Sequence, residues 1–208
     1  MSRQEQKAQT RQALLDAALR LMDRHSLTSL GLREITRAAG VTPTAFYRHF
    51  PDVGSLGVAL VEECLGGLRI TIRAVRDGMT DSDQVIDRSM DILARQVHAR
   101  REHFRFIARE RHGGVHRVRE AIAGHLDMFS AELASDLATR RLPGAASYDR
   151  WPRADLRMLT NLIVNHMVWT AAALLDDPAA EESIVDTAGR QLRLILLGAR
   201  QWPGPLEP

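Results

Sequence analysis

Residues 28–50 read TSLGLREITRAAGVTPTAFYRHF, and the fold of the chain turns on them. The spacing of apolar residues predicts a short helix over 32–39, stopped at Gly40, a residue type favoured just past a helix end. Thr42 followed by Pro43 is a start signal: the hydroxyl caps the helix, and proline at the first helical position loses no useful N–H. Pro51 ends this third helix. Phe46 and Phe50 are i, i+4 neighbours on one face and can anchor it to the two helices before it. Two short helices joined by a tight turn make a helix-turn-helix, whose second helix is presented to the DNA major groove. Thr42, Pro43, Thr44, Tyr47, Arg48 and His49 are then the DNA-binding candidates, because hydroxyls, a guanidinium and an imidazole suit phosphate oxygens and base edges. The Thr42 end also offers free N–H groups to a phosphate. Arg48 either reads a guanine at two points or serves as a phosphate or packing arginine. A capped helix with two Phe anchors is equally an ordinary part of a helical protein.

Outward from this stretch, strand signals are nearly absent and apolar residues recur at helical spacing. Helices are expected over 4–25, 32–39, 43–50, 52–76, 82–101, 102–112, 115–141, 152–175 and 180–201. They are separated by Gly, Pro and Asp clusters such as Gly113 with Gly114, and Leu142, Pro143 and Gly144. The expected fold is all-α, with about nine helices: a three-helix head over 1–51 and a helical body over 52–208.

The 208 residues are 45% hydrophobic, enough for a core. A single cysteine, Cys64, excludes an intrachain disulfide and a Cys-rich zinc site, and it reads as a buried structural thiol. The polar first twelve residues are no signal peptide. The longest nearly apolar stretch, 162–175, is interrupted by Asn165 and His166 and is short for a membrane span. A soluble cytoplasmic protein with no membrane partner is expected. Net charge is only +2, but residues 1–50 carry eight basic and four acidic side chains, a basic front on a near-neutral body. That pattern suits a nucleic-acid-binding head, although arginine-rich helix faces also serve solubility.

The segment TSLGLREITRAAGVTPTAFYRHFPDVGSL resembles the DNA-binding head of TetR-type transcriptional regulators, chiefly through FYRHF. Together with MSRQEQKAQTRQALLDAALRLM, HFRFIARERHGGVHRVREAIA and QLRLILLGARQW, it is similar to the FabR and DesT branch, which regulates unsaturated fatty acid synthesis. The middle, around 142–160, matches weakly. The resemblance implies a homodimeric repressor that places two third helices on a palindromic double-stranded operator. It also implies that a fourth helix links the head to a ligand-binding body. By position, Tyr47 and His49 would meet phosphates and Thr44 would lie nearer the bases. Two departures stand out. Val53 occupies the place where a lysine commonly opens the fourth helix. Gly31 replaces a Ser or Thr cap, leaving the capping box with Glu34 incomplete, at about a few tenths of a kcal/mol.

In the body, FRFIARERHGGVHRVRE (residues 104–120) sets an apolar face beside clustered guanidiniums. Such a segment suits an acyl chain with a phosphorylated head, since arginine pairs with phosphate at two points. It is also what a helix with a solvated charged face looks like. The FabR and DesT resemblance implies a long-chain fatty acyl-CoA effector, with Phe104, Arg109, Arg117, Phe129, His166 and Trp169 as ligand-binding candidates. Met128 and Met167, with Phe129 and Trp169, either line the acyl path or are plain core. Asn165 and His166 read first as satisfied polar groups at a helix contact or at the dimer seam. The stripe Leu192, Ile195, Leu196 and Ala199 is expected at the dimer seam. The same fold responding to another hydrophobic small molecule is the alternative.

An enzyme is not expected, nor a cofactor or metal. Paired Glu-x-x-His motifs for a di-iron site are missing, as are HExxH and G-x-S-x-G. His112 and His116 are spaced like ligands, but Gly113 and Gly114 lie between them. A helical protein-binding module that ignores DNA would not need the basic head.

Overall fold

The computed structural model describes residues 2–23, 25–78, 81–139, 148 and 151–202. Among the described residues there are nine helices and no strand. They are α1 (Arg3–Met22), α2 (Leu32–Ala38), α3 (Pro43–Tyr47), α4, α5 (Ser82–Ala99), α6 (Arg101–Glu110), α7 (His116–Thr139), α8 (Arg153–Asp176) and α9 (Glu181–Arg200). Helix α4 starts as Val53–Val61, passes through a π-helical turn at Glu62–Gly66 and continues as Gly67–Gly78. Short 3-10 turns lie at Leu27–Ser29 and Pro178–Ala180. The turn expected at Leu142, Pro143 and Gly144 and the Pro-rich tail after Trp202 lie outside the described residues.

The chain forms two compact units, Met1–Gly67 with Arg100–Ala123, and Leu68–Ala99 with Gly124–Pro208. The helix-turn-helix lies wholly in the first, together with the start of α4, all of α6 and the first turns of α7.

Caps explain most ends in the first unit. Ser2 and Glu5 form a capping box on α1: the Ser2 Oγ accepts from Glu5 N–H at 3.2 Å, and Glu5 Oε2 accepts from Ser2 N–H at 2.7 Å. Helix α2 has no side-chain cap at Gly31. Its other end closes through Gly40, whose φ of 67° is left-handed, so that Val41 N–H reaches Thr36 O at 3.0 Å. Thr42 caps α3 through Ala45 N–H at 3.2 Å, and Asp52 caps α4 through Ser55 N–H at 2.6 Å. Helix α3 is shorter than expected. It ends at Tyr47, and Arg48 and His49 form a turn that still hydrogen-bonds back to Ala45 and Phe46.

Leu14, Leu15, Ile35, Phe46, Leu56 and Leu60 are fully buried and form the centre of this unit. Gly57 lets α4 approach its neighbours. A Cβ there would stand 2.5 Å from Leu27 Cδ2 and 2.8 Å from Val118 Cγ2, both buried. Gly57→Ala is therefore expected to destabilise this unit by about 1–3 kcal/mol, the usual cost of overpacking. A guanidinium melt with an unchanged midpoint would contradict that.

In the second unit α8 packs against α9 and α5, and α9 against α5. Arg193 ties α9 to α5 through Asp87 at 2.5 Å and Asp83 at 3.3 Å. Tyr148, Leu156, Leu159 and Ala199 form a core cluster with Trp151, Ile163 and Ile195. This corrects the expectation for the stripe Leu192, Ile195, Leu196 and Ala199. Leu192 and Ala199 are buried within the unit, so the two ends of the row face the chain's own core, with Ile195 and Leu196 half-buried between them. The outward apolar side chains are Leu194 and Leu197 on α9 and Met158, Leu162 and Trp169 on α8, each half or more exposed. Periodicity found an apolar face, but α9 is apolar on two sides. The membrane reading of 162–175 also changes. Counting its earlier turns, α8 is long and apolar enough to cross a membrane by length and composition. Its contacts with α5 and α9 give the apolar residues another use.

Candidate nucleic-acid interface and ligand residues

The α3 candidates gather on one exposed edge of the first unit. Thr42, Pro43, Thr44, Tyr47 and Arg48 are exposed and His49 is half-buried. Phe46, fully buried, and Phe50 hold this edge from beneath, with ring centroids 5.7 Å apart. Tyr47 meets Phe46 edge-on at 5.8 Å, which fixes the start of the tyrosine side chain while leaving it 61% exposed. Partial burial, then the fields of Lys7, Arg11 and Arg48, hold the His49 imidazole below its ordinary pKa. His49 thus sits in a positive field before any phosphate arrives. Arg11 reaches this edge from α1, its guanidinium 5.1 Å above the Phe50 ring, an arrangement that attracts a cation to the ring face.

Of the ligand candidates, Phe104, Arg109 and Arg117 belong to the first unit and Phe129, His166 and Trp169 to the second. Phe104 and Phe129 are buried. Arg109 donates to Met22 O at 2.6 Å and to His25 O at 2.9 Å, satisfying carbonyls at the end of α1. Arg117 pairs with the α4 cap Asp52 at 3.3 Å across an exposed surface, where such pairs are worth about 0–1 kcal/mol. Neighbouring Arg105 pairs with Asp23 at 2.9 Å. His166 Nε2 lies 3.1 Å from Ala188 O, linking α8 to α9. Its ring stacks on Trp169 at 6.2 Å, and Trp169 is 59% exposed. Asp52 itself, fixed by Ser55 N–H and aided by Arg117, has its carboxyl held below the ordinary range.

Sequence reasoning missed Glu110. It is buried, and its Oε1 accepts the Leu27 N–H at 3.1 Å. Gly113 is required beside it, since a Cβ there would overlap the Glu110 carboxylate. Gly114 packs on Thr28, where a Cβ would lie 2.6 Å from Cγ2. Arg119 closes the turn by donating to Gly113 O at 2.5 Å. The paired glycines were the available signal, although they read only as a helix stop. Burial pushes the Cys64 thiol up to about 12, which leaves no reactive thiolate at neutral pH. Among the described residues no group of three or more His, Cys, Asp or Glu side chains could hold a metal ion.

Residues 14–54 match the family model described as bacterial regulatory proteins, tetR family. The fold is similar to that of the fatty acid degradation regulator FadR from Bacillus halodurans, with a TM-score of 0.75 and 18% identity over 92% of this chain and 96% of that one. FadR from Bacillus subtilis, solved in complex with stearoyl-CoA, gives 0.72 and 14% over 90% and 98%. A TetR-family transcriptional regulator from Syntrophomonas wolfei gives 0.76 and 13% over 91% and 95%. Residues 14–54 thus match the tetR family of bacterial regulatory proteins, and the chain as a whole has the fold seen in TetR-family transcriptional regulators.

Proposed function

We propose that the chain is a cytoplasmic, homodimeric repressor of fatty acid unsaturation genes that senses long-chain fatty acyl-CoA, as the FabR and DesT resemblance implies. The observation that carries the acyl-CoA reading is the similarity of fold, over nine-tenths of the chain, to a regulator solved with stearoyl-CoA. The dimer reading is supported by the outward apolar side chains of α8 and α9. Thr42, Pro43, Thr44, Tyr47, Arg48 and His49 contact the operator. Phe104, Arg109, Arg117, Phe129, His166 and Trp169 serve the effector.

The contacts of Arg109 suggest how ligand and DNA are coupled. A thioester's phosphate competing for that guanidinium would draw it from Met22 O and His25 O and loosen the end of α1. Operator affinity then changes only as far as the tight and loosened heads differ in affinity for the ligand.

The test is DNA binding to the protein's own upstream region and to desaturation promoters, at fixed salt, without ligand and with palmitoyl-CoA or oleoyl-CoA. The expected result is a different shift in operator affinity for the two thioesters. Binding that ignores both would leave a regulator of the same fold with another hydrophobic effector.

A further inference from the structure

Along α1 the row spaced by four residues runs Arg3, Lys7, Arg11, Leu15, Leu19. Each step of four turns about 40° around the helix, so Arg3, Lys7 and Arg11 share one side, the side on which Leu14 and Ala18 are buried further along. Leu15 and Leu19 are buried in the first unit, whereas Arg3, Lys7 and Arg11 are exposed. The face that enters the core at one end of the helix is thus cationic where the helix runs past that core. Gln12 and Asp16 lie on another side: Gln12 donates to Asp16 at 3.0 Å and lies 3.4 Å from Glu63. Glu5 is spent on the capping box, which holds the first turn helical. The cationic row also leads to α3. Arg11 sits over Phe50, and Lys7 and Arg11 both act on His49.

We infer that Arg3, Lys7 and Arg11 form a second DNA-contacting surface, which holds backbone phosphates flanking the base pairs that α3 reads. The inference rests on the DNA-binding reading of the head and adds to it a strip about 12 Å long, from the helical rise of 1.5 Å per residue. Nothing in the row reads a base. Its contribution is sequence-independent, salt-dependent affinity and a longer footprint on each half-site. A polyanion is the fitting partner because the strip leads to Arg48, a further exposed cation on the α3 edge.

The experiment uses the full chain and a 40-base-pair duplex that the protein itself selects from a randomised pool, compared with the same site trimmed of its flanks. Arg3→Ala and Lys7→Ala sit on exposed positions, and Arg20→Ala removes one exposed charge from outside the row. If each row residue holds one phosphate per head, each substitution lowers the slope of log affinity against log salt by about 1.8 per dimer. Between 50 and 200 mM salt the variant then loses roughly tenfold less affinity than the parent. Arg20→Ala keeps the parent slope, and on the trimmed duplex the row variants and the parent converge. Equal slopes for the row variants and the parent on the long duplex would overturn the inference, as would an Arg20→Ala loss of the same size. A parent that selects no DNA at all would overturn the DNA-binding reading and this inference with it.

Discussion

Phe46→Ala is expected to cost the first unit about 3–5 kcal/mol, the usual range for emptying a buried aromatic site, and to remove DNA binding. Phe46 is fully buried, and its ring meets both Tyr47 and Phe50. With only five residues, α3 has too few internal hydrogen bonds to persist without that anchor. Arg11 would lose its place as Phe50 shifted, so the cationic row and the α3 edge would separate. Because the chain has two compact units, the melt should be followed by a probe in each rather than fitted as one transition. An early transition confined to the head is expected. An unchanged head midpoint with intact DNA affinity would show that Phe46 does not hold α3.

Leu194→Glu is expected to convert the proposed dimer to monomers at micromolar concentration. Leu194 is 69% exposed and stands among Leu197, Met158, Leu162 and Trp169 as outward apolar residues of the second unit. A carboxylate buried there against a second copy, with no partner, would outweigh the apolar gain at that position. Two heads on one operator gain roughly 10²–10⁴ in affinity from being linked, so operator binding should fall by a factor of that order. Light scattering gives the mass and a titration gives the affinity. A dimer of unchanged mass would place the subunit contact elsewhere.

The head was legible because its decisive signals are local. Thr42 with Pro43, and Gly40, each act within a few residues, and each cap or turn is where the sequence put it. The early end of α3 was less visible, since Pro51 bounds the helix without fixing its last turn. The arginines of α6 were legible as charge and not as contacts. Arg109 reaches the carbonyls of residues 22 and 25, and no spacing within 104–120 encodes such distant partners. The row Leu192, Ile195, Leu196 and Ala199 failed differently. An apolar period tells which residues avoid water, but not whether the neighbour is the same chain or another. Glycines carried hidden information: Gly57 and Gly113 each mark a place where a single methyl group has no room.

The grip of α6 on the head has an evolutionary corollary. Arg109 and Glu110 take hold of Met22 O, His25 O and the Leu27 N–H, which are main-chain atoms present whatever side chains stand there. The exposed positions between the buried Met22 and Leu27 can therefore drift in identity without losing the attachment, provided the backbone keeps its course. A head from a distant relative, grafted at this joint, would meet the same three anchoring points. New operator specificities could then be recruited to an existing body with little repair at the seam.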